Sequence, residues 1–85
     1  MECRVDVSEE SGRTVVRIHG RLGGAAVPEL ERACREASGS LILDLTYLMS
    51  ADDGGIAVLR RLAIDEVPLT GMSPYLRLLL EPDET

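Results

Sequence analysis

Positions 3 to 8 alternate strictly, with Cys3, Val5 and Val7 set against Arg4, Asp6 and Ser8. A period of two predicts a strand with one buried face, because successive side chains on a pleated backbone point to opposite sides. The polar stretch Ser8-Glu9-Glu10-Ser11-Gly12 reads as turn chemistry, and Thr14-Val15-Val16-Arg17-Ile18-His19 is a β-branched run ending at Gly20. Together they predict an antiparallel hairpin.

Beyond Gly23-Gly24 the period changes. Val27, Leu30, Ala33, Cys34 and Ala37 fall at helical spacing, with Pro28 in the first turn and Glu29 and Glu31 near the positive end of the helix. Ser38-Gly39 is expected to close that helix. Ser40-Leu41-Ile42-Leu43-Asp44-Leu45 is a nearly unbroken apolar run of strand length, which predicts a central parallel strand covered on both faces and a βαβ crossover.

Asp52-Asp53-Gly54-Gly55 precedes Ile56, Leu59 and Ala63, again helix-spaced. One aspartate is expected as the N-cap and the other in the favourable field of the helix start. Val67-Pro68-Leu69-Thr70 predicts a short edge strand, since proline donates nothing to a ladder. Ser73-Pro74 opens a last helix carrying Leu76, Leu79 and Leu80 inward, and Pro82 among acidic residues ends the fold. The order β-β-α-β-α-β-α predicts an α/β fold, a mixed four-stranded sheet packed with helices, with right-handed parallel crossovers.

At 85 residues the chain is expected to form one small domain over positions 1–85. Aromatics make up 2%, with no Trp and no Phe, so no stacking platform for single-stranded nucleic acid is available. The formal charge of −6, with no basic run, disfavours phosphate backbones and direct binding to anionic membranes. Cys3 and Cys34 with the lone His19 are too few for a disulfide scaffold or a structural zinc site. No apolar run is long enough for a signal peptide or a membrane span, so a cytoplasmic location is expected. No Ser-His-Asp or Cys-His set exists, which predicts a non-enzymatic protein without a cofactor.

Several stretches share one order: Gly20-Arg21-Leu22, Pro28-Glu29-Leu30, Leu41-Ile42-Leu43-Asp44-Leu45-Thr46, Asp52-Asp53-Gly54-Gly55-Ile56-Ala57-Val58-Leu59, and Gly71-Met72-Ser73-Pro74-Tyr75-Leu76-Arg77-Leu78-Leu79. Over about positions 13 to 80 this resembles the STAS domains, the family of bacterial anti-sigma-factor antagonists and of the cytoplasmic tails of sulfate transporters. In the antagonists the serine after the second aspartate is phosphorylated by a partner kinase. Here that position is Asp53, so the resemblance implies a fixed negative charge in place of a modifiable hydroxyl. A carboxylate carries about one charge where a phosphoryl group carries nearly two, so the mimicry is partial. The family's Gly-Glu-Leu-Asp after the second strand is replaced by Gly20-Arg21-Leu22-Gly23, which removes both acids.

The resemblance implies a transcription-regulating interaction module that docks through the 50–54 loop and the exposed side of the following helix. Its partner-binding residues are then Tyr47, Ser50, Asp52, Asp53, Gly54, Gly55, Ala57, Arg60 and Arg61. The partner is expected to be an anti-sigma factor of the serine-kinase type. The alternative is the ATPase of a lipid-asymmetry ABC transporter, whose STAS subunit carries a similar Gly-Gly pair. Longer family members add a strand and a helix after the Ser-Pro helix, so a thinner sheet edge and a homodimer are expected. In a different class, Asp44, Asp52 and Asp53 could converge at strand ends on a divalent cation.

Overall fold

The computed structural model describes residues 3–37 and 40–80. Strands β1 (Cys3–Glu10) and β2 (Arg13–Leu22) pair antiparallel from Cys3 against Gly20 to Glu10 against Arg13. Ser11 and Gly12 make the two-residue connection, with φ of 53° and 80°. Positive φ at both positions is what a primed turn demands, and its twist matches that of the flanking strands. A short 3₁₀ turn (Gly24–Ala26) leads into α1 (Val27–Glu36), and β3 (Ser40–Asp44) then returns parallel to β2.

The chain does not go into a loop after β3. Residues Leu48–Ala51 form β4, which also runs parallel to β2, against its last residues. Between Gly20 and Arg21 the register slips, because Gly20 faces Leu48 and Arg21 faces Ser50, which leaves Met49 as an extra residue. Then come α2 (Asp53–Ile64), β5 (Leu69–Thr70), which pairs parallel with β3, and α3 (Pro74–Leu80). The sheet order is β1-β2-β3-β5, with β4 set beside β2 beyond the end of β3.

The fold is thus α/β with a mixed sheet, but of five strands and not four. Leu48-Met49-Ser50-Ala51 lacks β-branched residues, and only its pairing with the end of β2 makes it a strand. The same pairing extends β2 past Gly20 to Leu22. The expected edge strand at 67–70 is present at the margin of the sheet, and Pro68 contributes through its carbonyl, which accepts from Leu43 N at 2.9 Å.

One apolar cluster gathers Val16, Ile18 and Leu22 of β2, Leu43, Leu45 and Leu48 from the β3–β4 stretch, Leu30 of α1, Val58 and Leu59 of α2, and Leu76 of α3. Each fully buried Leu or Ile contributes about 1.5–3 kcal/mol over an exposed one. All three helices feed this cluster, so they form one layer over one face of the sheet. Alternation puts Val15, Arg17 and His19 on the opposite face, together with Ile42 and Asp44 of β3. The expectation that β3 is covered on both faces is therefore corrected: Leu41 and Leu43 meet the helices, whereas Asp44 pairs with Arg17 across the open face. The inward register of α2 runs through Gly55, Val58 and Leu59, and Ala63, expected inward, is exposed. The closing roles expected of Ser38-Gly39 and Pro82 lie outside the described residues. Among the described residues, no helix is long and apolar enough to cross a membrane.

Candidate functional site

Asp52 stands alone between β4 and α2, in extended conformation, and it caps the helix. Its Oδ1 accepts from Gly55 N at 2.9 Å, and its Oδ2 accepts from Gly24 N at 3.2 Å. Its own N–H donates to Leu22 O at 3.0 Å. One residue therefore ties the end of β2, the start of the 3₁₀ turn and the start of α2. The amides of Gly55 and then Gly24, which stabilise the charged form, hold the Asp52 carboxyl below its ordinary range.

Asp53 is the first residue of α2 and lies exposed. Among the described residues, no hydrogen bond or ion pair engages its side chain. The carboxylate sits where the helix field favours an anion. The two aspartates thus divide the work that the sequence left shared, Asp52 capping and Asp53 facing water.

Gly55 is buried, and a Cβ there would meet the carbonyl oxygen and side chain of Leu22. Only glycine lets α2 begin this close to β2, so Gly55 serves packing and lies off the exposed surface. Gly54 is exposed and lies near the Gly24 backbone, with 3.1 Å between the place of its Cβ and Gly24 Cα. Ala57, Arg60 and Arg61 are also exposed, one and two turns along. The two arginines do more than solvate the helix. Arg60 Nη2 donates to Leu79 O at 2.8 Å, and Arg61 Nη2 donates to Glu31 Oε2 at 3.3 Å. They tether α2 to α3 and to α1.

The 50–54 stretch is corrected in conformation. Ser50 and Ala51 belong to β4, and Asp53 and Gly54 are already helical, which leaves Asp52 as the whole connection. Ser50 is half-buried and borders, with Arg21, Gly23 and Asp52, a hollow of ≈ 390 Å³. The Tyr47 ring stacks on His19, with centroids 5.0 Å apart and planes 3° from parallel, which puts it on the open face of the sheet. His19 Nε2 also lies 3.2 Å from Asp6 Oδ2, close enough for an ion pair if protonated, although it has no directed hydrogen bond.

The three aspartates do not converge. Asp44 Oδ2 accepts from Arg17 Nε at 2.9 Å, and its Oδ1 accepts from Thr46 Oγ1 at 2.6 Å and from Thr46 N at 3.0 Å. Among the described residues no three His, Cys, Asp or Glu side chains are gathered as a metal site.

Among the exposed apolar residues that the sequence reading did not single out, two flank this site. Ile64, 78% exposed, ends the α2 stripe that runs through Ala57 and Arg60, and Met49, 76% exposed, is the extra residue of the β4 bulge. Ile64 was legible as an isoleucine one position off the inward register. Met49 carried no signal until β4 was known to pair. Comparison with protein-family models returns no match, and comparison with curated proteins returns none either.

Proposed function

We propose that this chain is a STAS-like, non-enzymatic interaction module that works in the cytoplasm as an anti-sigma-factor antagonist with a fixed charge in place of a phosphorylation switch. The observation that supports it is the division of labour at the start of α2. Asp52 is consumed by the cap, while Asp53 is presented to solvent on the helical side of a strand-to-helix junction. In a protein whose charge already disfavours nucleic acid, an unspent carboxylate beside a stripe of small and apolar residues suits a protein surface. Asp53, Gly54, Ala57, Arg60 and Ile64 form the docking face, and the partner is an anti-sigma factor of the serine-kinase type.

The glycine pair that suggested the ATPase of a transporter has a packing reason inside the chain, at least for Gly55, and lends that partner no separate support.

Binding to a serine-kinase anti-sigma factor from the same cell, followed by calorimetry, tests the reading. The wild type binds and takes up no phosphate from ATP, whereas Asp53→Ser becomes a phosphate acceptor. Ala57→Arg, a surface change on the same face, weakens binding roughly tenfold or more, the equivalent of about 1.4 kcal/mol. Binding that is indifferent to both Asp53 and Ala57 would sink the assignment.

A further inference from the structure

β1 ends the strand order, so among the described residues its outer edge has no strand beside it. At 8 residues it is long for an edge, whereas the opposite margin of the sheet, β5, has 2. Such an edge offers a row of backbone donors and acceptors to another chain, and charge is the usual means of blunting it. The charges of β1 are arranged so that the strand complements itself.

We propose that a second copy of this chain pairs antiparallel with β1 about a two-fold axis at Val7, continuing the sheet through both subunits. An axis normal to the sheet keeps both helix layers on one side, and directly opposed residues must then share a face. The register is therefore centred on one residue opposed to its own mate, and not between two residue numbers. Centred on Val7, the pairing sets Arg4 against Glu10 of the second copy and Asp6 against Ser8, each twice by symmetry, with Val7 against its own mate. Centred on Asp6 it opposes two aspartates, and centred on Ser8 it opposes Asp6 to Glu10. Centred on Val5 it sets Arg4 against Asp6 but pairs only residues 3 to 7 of the described strand, leaving Glu9 and Glu10 beyond the ladder.

Burial points to the same register. Val7 lies on the helix side of the sheet yet is 54% exposed, while Val5 packs against the core. The axis covers the one valine of β1 that the monomer leaves in water. Arg4 is free to reach across, since its contact with Asp6 is an exposed one at 3.3 Å with the arginine side chain 74% exposed. Seven paired residues a side make a modest interface, so the dimer forms in a concentration-dependent way. This association is separate from the α2 face and stands or falls independently of the proposed partner.

Sedimentation of the full chain over a range of concentrations tests it, at physiological salt, where a Debye length of about 8 Å screens the net repulsion between subunits. The wild type dimerises as concentration rises. Arg4→Glu and Glu10→Arg each create two like-charge pairs across the axis and weaken the dimer roughly tenfold or more. An equimolar mixture of the two variants restores both pairs in the heterodimer, and so does the double variant with itself. Thermal melting confirms that each variant is folded, and the mixture and double variant answer any loss due to folding alone. A wild type that stays monomeric throughout overturns the proposal. So does weakening by Arg4→Glu but not by Glu10→Arg, or failure of the mixture and the double variant to recover.

Discussion

Asp44 shows what a single side chain contributes. The hydroxyl of Thr46, then the Arg17 guanidinium, hold its carboxyl at about 2, against an ordinary value of 3.8, with burial opposing them. A carboxyl depressed on folding stabilises the native state fully above its unfolded value, and that contribution is lost as pH falls through the folded one. Unfolding by urea followed from neutral pH to pH 2 should therefore show a loss between about pH 4 and pH 2, of about 1–2 kcal/mol after allowance for solvent screening. Asp44→Asn should flatten that part of the curve, and an unchanged profile would remove Asp44 from the account. The Arg17 contact was not readable in the sequence, where Asp44 is one acid in an apolar run and Arg17 lies 27 positions away, whereas the Thr46 contact, two positions on, is local. The cap at Asp52 was readable as one of two aspartates, because capping chemistry is local. Which of the two it would be depended on where α2 begins, and the second oxygen of the cap is engaged by Gly24, 28 positions earlier.

At the scale of elements, the helices and the hairpin announced themselves through period and turn residues, and β4 did not. Four residues without β-branching become a strand only because the last residues of β2 lie beside them. The register of α2 divides into two sides that mutation separates. Leu59 is fully buried in the cluster, so Leu59→Ala should cost about 2–5 kcal/mol in denaturant unfolding. That is a large share of the roughly 4–13 kcal/mol a domain of this length commands. Ile64→Ser on the exposed side should stay within about 0.5 kcal/mol while weakening the proposed docking. Equal costs at the two positions would contradict the helix register.

At the scale of the molecule, β2 is the strand most fully flanked, with β1 along its length and β3 and β4 along the other edge, whereas β3 meets β5 at only two residues. Its central amides should open only with the whole domain. The two-residue strand β5, paired on one side, should open locally. Hydrogen exchange should find the amides of Val15, Val16 and Ile18 slowest and those of Leu69 and Thr70 faster by orders of magnitude. Similar protection in both strands would mean that β5 belongs to the same cooperative unit as β2.

Hydropathy period, turn chemistry and capping residues are local, so the hairpin, the three helices, the edge strand after Pro68 and the α/β class were legible in the chain alone. Residue 53 likewise offers a carboxyl group and no hydroxyl to modify, since that is a matter of identity alone. Tertiary structure decided which aspartate caps α2, that all helices lie on one face, that Tyr47 belongs with His19, and that a fifth strand exists. Each of these depends on groups far apart in the chain being brought together, and no local period records such a pairing.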